Sequence, residues 1–302
     1  MHAGGGIQRV RAHLAKLPPQ AGLTFEELRE QYDRAERVFP IPVDFEVKAV
    51  HAPVAHAEWL RPPQAREAVV LYLHGGGYVI GSPRSHRHLA AAIAGAAGAS
   101  ALLLDYRRAP EHPFPAALED ALATYRWLIG SEGIAPQAIV VAGDSAGGGL
   151  AIATMLALRE RGVALPAAGV CISPWVDLTC SLPSYAANAA IDPLVVPSVI
   201  AAMARAYLGG ADPRTPRASP LHADLRGLPR LLIQVGSDEL LLDDARQLAA
   251  RAGEAGVEAT LEVWDGMVHV WHWFLPMLDE AQAAIDRIGA FVKSATGNGR
   301  GA

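Results

Sequence analysis

The stretch VVAGDSAGGGLA, residues 140–151, decides how the chain is read. The apolar run AIVVAG (138–143) has the β-branched character of a buried strand, and Ala146–Arg161 has the composition of a helix. Between them Gly143-Asp144-Ser145-Ala146-Gly147 forms a G-x-S-x-G turn. A strand that reverses into a helix this sharply leaves no room for side chains two residues either side of the serine. Ser145 is therefore expected to project from the edge of a sheet, above a helix N-terminus.

Working outward, similar short apolar runs recur at FEVKAV (45–50), AVVLYL (68–73), ALLLDY (101–106), AGVCIS (168–173), LLIQVG (231–236) and ATLEVW (259–264). Helical stretches at 116–129, 146–161 and 243–255 separate most of them. This alternation predicts an α/β fold with a mostly parallel central sheet covered by helices on both faces. Ligands of such sheets bind at the edge formed by the carboxyl ends of the strands. Leu89–Leu104, the longest uncharged run, is short for a bilayer span and reads as a buried helix running into a strand.

Two segments break the alternation. LTFEELREQYDRAERVF (23–39) places Phe25, Leu28, Tyr32, Ala35 and Phe39 on one helical face, with Thr24 and Glu27 set for a capping box. Residues 176–220 lack a strand, contain the helical PSVIAAMARAYL (197–208) and are rich in proline. The expected organisation is N-terminal helices (1–45) and an insertion (176–220) forming a cap, a core from 46–175 and 221–295, and a disordered tail at 296–302.

Composition narrows the partners. The net charge is −5, and the 26 Lys and Arg are spread without a basic run, which argues against nucleic acid or an anionic membrane surface. Two cysteines, Cys171 and Cys180, imply no disulfide framework and fit a reducing compartment. MHAGGGIQRVRAHLAK lacks the apolar core of a signal peptide, so a cytoplasmic location is expected, without membrane insertion.

A second Gly-rich loop, His74-Gly75-Gly76-Gly77, directly follows the strand at 68–73. Backbone amides unobstructed by Cβ atoms suit an oxyanion hole, with Gly76, Gly77 and Ala146 as the expected donors and Gly75 as a fourth candidate. His74 is expected to brace the loop. A serine hydroxyl also needs a base and an acid, placed on loops after later strands in the order acid, then histidine. After LLIQVG, Asp238 is the expected acid and Glu239 the alternative. Asp243 and Asp244 suit the start of the following helix. After ATLEVW, WDGMVHVWHWF (264–274) offers His269 in the loop and His272 at the start of the last helix. His269 is the expected base, His272 a packed neighbour, and Trp271 and Trp273 are candidate substrate walls.

These motifs together, HGGG, GDSAGG, a post-strand Asp and a post-strand His, resemble the bacterial hormone-sensitive-lipase-like esterases, a branch of the α/β-hydrolase superfamily. DYRRAPEHPFPAALED (105–120) and ISPWVDL (172–178) resemble the family's stretches at those points, and the resemblance spans about residues 68 to 292. Arg108 departs from the family's YRLAPE pattern. The resemblance carries the nucleophile onto Ser145, the acid onto Asp238 and the base onto His269. It implies a helical cap, hydrolysis of short- to medium-chain acyl esters without cofactor or metal, and a homodimer through the last strand and helix. A lactone hydrolase using the same triad is the alternative function. An amidase, and a binding protein that has lost catalysis, fit less well, the latter because His269 is present.

The remaining candidates have structural readings. Cys171 is expected in the core. SPRSHRHL (82–89), with His86 and His88, is expected to be a solvated helix start rather than a metal pair. Arg107 and Glu111 are expected to pair beside the oxyanion loop. Val195, Val196, Met203 and Tyr207 are expected to pack within the cap, some of them lining the acyl channel.

Overall fold

The computed structural model describes residues 5–52 and 55–297. Of the expected tail at 296–302, residues 298–302 lie outside these, as do the first four residues of the expected cap. Three N-terminal helices, α1 (Gly5–Leu14), α2 (Phe25–Asp33) and α3 (Ala35–Val38), precede a hairpin of β1 (Glu46–His51) and β2 (His56–Arg61). Then follow β3 (Val69–Leu73), α4 (Pro83–Ala97), β4 (Ser100–Asp105), α5 (Ala116–Gly130), β5 (Ile139–Asp144), α6 (Ala146–Glu160) and β6 (Ala168–Ile172). The chain continues through α7 (Ser184–Ala187), α8 (Pro197–Leu208), β7 (Arg230–Gly236), α9 (Leu242–Glu254), β8 (Ala259–Trp264) and α10 (Asp279–Ala295).

The strands form an eight-stranded sheet in the order β1-β2-β4-β3-β5-β6-β7-β8. β3 to β8 run parallel to their neighbours, while β1–β2 and β2–β4 are antiparallel. Only β2 was absent from the strand pattern. Its sequence, HAEWLR, is half polar because one face of an antiparallel strand near the sheet edge need not be buried.

The period of two in each strand builds both cores. On β3, Val69, Leu71 and Leu73 face one side with Leu102, Leu104 and Val141, under α5 and α6. Val70 and Tyr72 face the other with Leu103 and Val140, under α4 and α10. β7 and α9 extend the first layer through Leu231, Ile233 and Leu248. α4 starts on Ser82, whose hydroxyl accepts the Arg84 amide, with Pro83 in its first turn, and ends at left-handed Gly98.

The expected solvated start of α4 is instead buried: Ser85 and His86 are fully enclosed, and His88 stacks on Phe39 with ring centroids 4.8 Å apart. The N-terminal helices cover that end of α4. The Thr24–Glu27 capping box forms as expected. The expected Arg107–Glu111 pair does not: Arg107 grips Asp120, and Glu111 takes a bidentate bond from Arg29 of α2. Arg29 also donates to the carbonyls of Val79 and Ala109, tying α2 to the end of the HGGG loop.

Candidate active site

Ser145 sits between β5 and α6 with φ +53° and ψ −121°, a strained backbone for a residue bearing a Cβ. Crowding by neighbours holds it there. A Cβ on Gly147 would lie 1.9 Å from the Leu73 carbonyl oxygen, and one on Gly143 would lie 2.4 Å from Gly147. The Ser145 amide donates to the Ile172 carbonyl, and its own carbonyl accepts the Trp175 amide. The turn therefore needs glycine at both flanks, and the serine is pinned from β6.

The HGGG loop lies against this turn. A Cβ on Gly75 would fall 2.2 Å from the Asp144 carboxylate, and the Gly75 amide donates to Asp144 Oδ1 at 3.1 Å. That amide is occupied, so Gly75 is removed from the expected oxyanion donors. The amides of Gly76, Gly77 and Ala146 donate to no acceptor among the described residues. Asp144 is itself anchored by the Tyr72 hydroxyl at 2.8 Å and by His86 Nε2 at 3.3 Å. Burial pushes its acidity down, but His86 and Tyr72 outweigh this, and its pKa falls below the ordinary value. His74 Nδ1 donates to the Gly75 carbonyl, and Tyr106 donates to the His74 carbonyl. Burial, with His86 nearby, lowers the His74 pKa to about 3, so it is a neutral brace.

His269 stands in the loop after β8 and is 7% exposed, while Ser145 is 9% exposed. Both line the same cavity with Gly76. No hydrogen bond joins the two among the described residues; in free enzymes this link is often long and tightens around substrate. The partner of His269 corrects the expectation. Its Nδ1 lies 2.6 Å from Glu239 Oε2, not from Asp238. Glu239 is fully buried, and its other oxygen accepts the Gly236 amide at 2.6 Å and the Ser173 hydroxyl at 2.8 Å. Asp238 turns outward, bonded by Arg11 of α1 at 2.5 Å and by the Ser237 hydroxyl. Glu239, at the end of β7, thus links the loops that follow β6 and β8 through Ser173 and His269, and Asp238 reaches neither.

A carboxylate on Nδ1 fixes the proton there and leaves Nε2 with its lone pair. Burial alone would lower the His269 pKa, yet the charge and hydrogen bond of Glu239, with Asp192 and Asp144 further off, raise it above the ordinary value. His272 behaves as the packed neighbour. It is buried, its Nε2 bonds Gln234 at 2.8 Å, its ring lies 4.0 Å from that of Trp271, and burial lowers its pKa to about 3. Trp273 lines the cavity and Trp271 is buried behind it.

Three residues that the sequence did not single out support Glu239. Ser173, at φ +44°, bonds both Glu239 and the Val270 amide. Asn188 donates to the carbonyls of Ser237 and Glu239. Asp192 accepts the amides of Leu194, Val195 and Leu240. Residues 188–195 thus strap the acid loop from outside. Among the described residues no group of three or more His, Cys, Asp or Glu is arranged to hold a metal ion, and Cys171 is buried in β6.

An eight-stranded, mostly parallel sheet with this turn at its carboxyl edge defines an α/β hydrolase. A sequence profile for the α/β hydrolase fold matches residues 70–273. An acetyl-hydrolase of Streptomyces hygroscopicus is 51% identical over 277 residues, 91% of both chains. Among solved structures, an esterase of the bacterial hormone-sensitive lipase family superposes with a TM-score of 0.93 at 48% identity, over 98% of this chain and all of that one. An esterase/lipase from an uncultured bacterium gives 0.93 at 46% over the same spans. The chain belongs to the α/β-hydrolase family, in the branch of the bacterial hormone-sensitive-lipase-like esterases, and it is a hydrolase.

Proposed function

We propose that the enzyme hydrolyses carboxylic esters of short to medium acyl chain through an acyl-enzyme on Ser145. The observation that carries this reading is the buried Glu239–His269 pair facing the elbow serine across one cavity. His269 Nε2 takes the Ser145 proton as Oγ attacks the ester carbonyl. The oxyanion accepts hydrogen bonds from the amides of Gly76, Gly77 and Ala146, each such donor being worth about 3–4 kcal/mol of barrier. Glu239 holds the imidazole in its Nδ1–H form and stabilises the imidazolium. His269 then protonates the leaving alcohol, and the C–O bond to the alcohol breaks. A water deprotonated by His269 attacks the acyl-serine, and the acid leaves with Ser145 restored.

The names of relatives support an ester substrate, and that of the Streptomyces hygroscopicus acetyl-hydrolase supports a short acyl group. Helices α1–α3 and residues 176–220 serve as the cap, since both line the cavity over Ser145. The unpaired side of β8, with Val263 exposed, supports pairing of two copies along β8 and α10. Among the described residues no helix is long and apolar enough to cross a membrane.

Turnover of p-nitrophenyl acetate tests the reading. Ser145→Ala is expected to lose turnover and labelling by a fluorophosphonate while keeping the far-UV spectrum of the wild type. Near-normal turnover in that variant would remove Ser145 from the mechanism.

A further inference from the structure

The polar start of α4, SPRSHRHL, is buried, and its His86 touches the residue that precedes the nucleophile. The His86 and Asp144 side chains are 0% and 3% exposed. Asp144 Oδ1 accepts the Tyr72 hydroxyl at 2.8 Å and the Gly75 amide at 3.1 Å, and its Oδ2 lies 3.3 Å from His86 Nε2. Through Gly75 the carboxylate ties the oxyanion loop to the turn that carries Ser145. The His86 ring is walled by Trp273, edge-on at 4.9 Å, and by Tyr32 at 6.4 Å.

The donors and acceptors fix where the protons lie. Ser85 has one hydroxyl proton, which Oγ gives to the Ser82 carbonyl at 2.9 Å while accepting the Ser82 amide. His86 Nδ1, 2.8 Å from the same Oγ, is therefore a donor. At the other ring nitrogen, a lone pair facing a carboxylate oxygen would be repelled, so a proton lies between Nε2 and Oδ2 as well. The Gly75 amide, 3.2 Å from Nε2, is already served by Asp144 Oδ1. Asp144 is held in its ionised form, so the shared proton belongs to the ring and His86 is an imidazolium. The adjacent imidazoles do not take this part: burial, with the charge of His86 nearby, lowers the pKa of His74 and of His88 to about 3.

The consequence is electrostatic. Asp144 lines the catalytic cavity beside Ser145 and Gly76. A bare carboxylate there would oppose the negative charge that grows on the substrate oxygen, and that opposition is strong where water is excluded. We propose that His86 is a positioning residue for the oxyanion loop: its positive charge offsets that of Asp144, so that a carboxylate can tie Gly75 to the nucleophile turn without resisting the oxyanion. This rests on the Ser145 mechanism above and adds the residue that stands behind it.

Steady-state kinetics on p-nitrophenyl acetate and a melting curve test the proposal on four proteins: wild type, His86→Gln, Asp144→Asn and the double variant. Glutamine keeps a donor near the place of Nε2 without the charge. Asparagine keeps acceptors for Tyr72 and Gly75 and offers its amide to an unprotonated His86. His86→Gln is expected to lower kcat by about 10²-fold, the scale of one lost oxyanion donor, with KM within about threefold. Asp144→Asn is expected to lose less than about tenfold, and the double variant to stand at least about tenfold above His86→Gln. A role in packing alone would leave the double variant equal to His86→Gln or worse. That result, or a near-normal kcat in His86→Gln, would overturn the proposal. If His86→Gln does not fold, the double variant decides. Folding with turnover within about tenfold of Asp144→Asn supports the offset of charge, and a double variant that is unfolded or inactive overturns it. Wild-type turnover that vanishes in Ser145→Ala secures the mechanism beneath. With that in place, a normal His86→Gln sinks only the role of His86; a wild type inert towards the ester ends both.

Discussion

At the residue scale the site turns on which of two neighbours meets His269. Asp238 and Glu239 are adjacent acids in the turn that follows β7, and the turn sends their side chains to different partners. Asp238 goes to Arg11 at the surface, and Glu239 enters the cleft to His269. Nothing in the one-dimensional pattern separates them, because the discriminating partners, Ser173 and the Gly236 amide, arrive from the fold. The two histidines were separable, since only His269 falls in the loop after β8, ahead of the 3₁₀ turn that holds His272. His269→Ala is expected to lower kcat on p-nitrophenyl acetate by about 10⁴-fold or more. His272→Ala is expected to keep the larger part of kcat and to lose thermal stability, because it empties a buried site bonded to Gln234. Steady-state kinetics and a melting curve on each variant check both halves. Comparable losses of kcat would mean that the two histidines act together.

At the element scale, legibility followed burial. Strands β3 to β7 read clearly because their interior residues are enclosed and, apart from Gln234, lack charged or amide side chains. β2 and the strap at 188–195 did not read, for opposite reasons. β2 shows one polar face, and the strap has no repeating pattern at all; its role comes from Asn188 and Asp192 reaching the acid loop. The start of α4 departs from the expectation because polar residues usually mark solvent, whereas here Ser85 and His86 are buried beneath the N-terminal helices and serve Ser82 and Asp144. The contact between α4 and α10 was invisible as well. Gly289 of α10 lets the helices approach so closely that a Cβ there would lie 2.5 Å from the Ala96 carbonyl oxygen. Gly289→Ala is expected to overpack this contact and to cost about 1–3 kcal/mol. For a chain of this size that corresponds to a fall in Tm of several degrees, measurable by calorimetry. An unchanged or raised Tm would show that the two helices can separate freely.

At the scale of the whole molecule, the sheet and the loops at its carboxyl edge converge to place one ionisable pair beside one strained serine. The carboxyl ends of β5, β6, β7 and β8 bring Ser145, Ser173, Glu239 and His269 together from positions more than a hundred residues apart in the chain. Because the raised pKa of His269 is produced by Glu239 against the effect of burial, the pH profile reports directly on that pair. The base must be neutral, and a raised pKa keeps it protonated to higher pH. The acid limb of kcat/KM in the wild type is therefore expected above the ordinary histidine value of about 6.5. The pH profile of kcat/KM for p-nitrophenyl acetate, measured on the wild type, Glu239→Gln and Asp238→Asn, is the most direct test. Glu239→Gln is expected to lower the plateau on the order of 10⁴-fold and to move the acid limb to lower pH. Asp238→Asn, which alters a half-buried ion pair with Arg11 and a hydrogen bond from the Ser237 hydroxyl but no contact with His269, is expected to stay within about tenfold of wild type with its limb in place. A collapse in Asp238→Asn with a near-normal profile in Glu239→Gln would contradict the account.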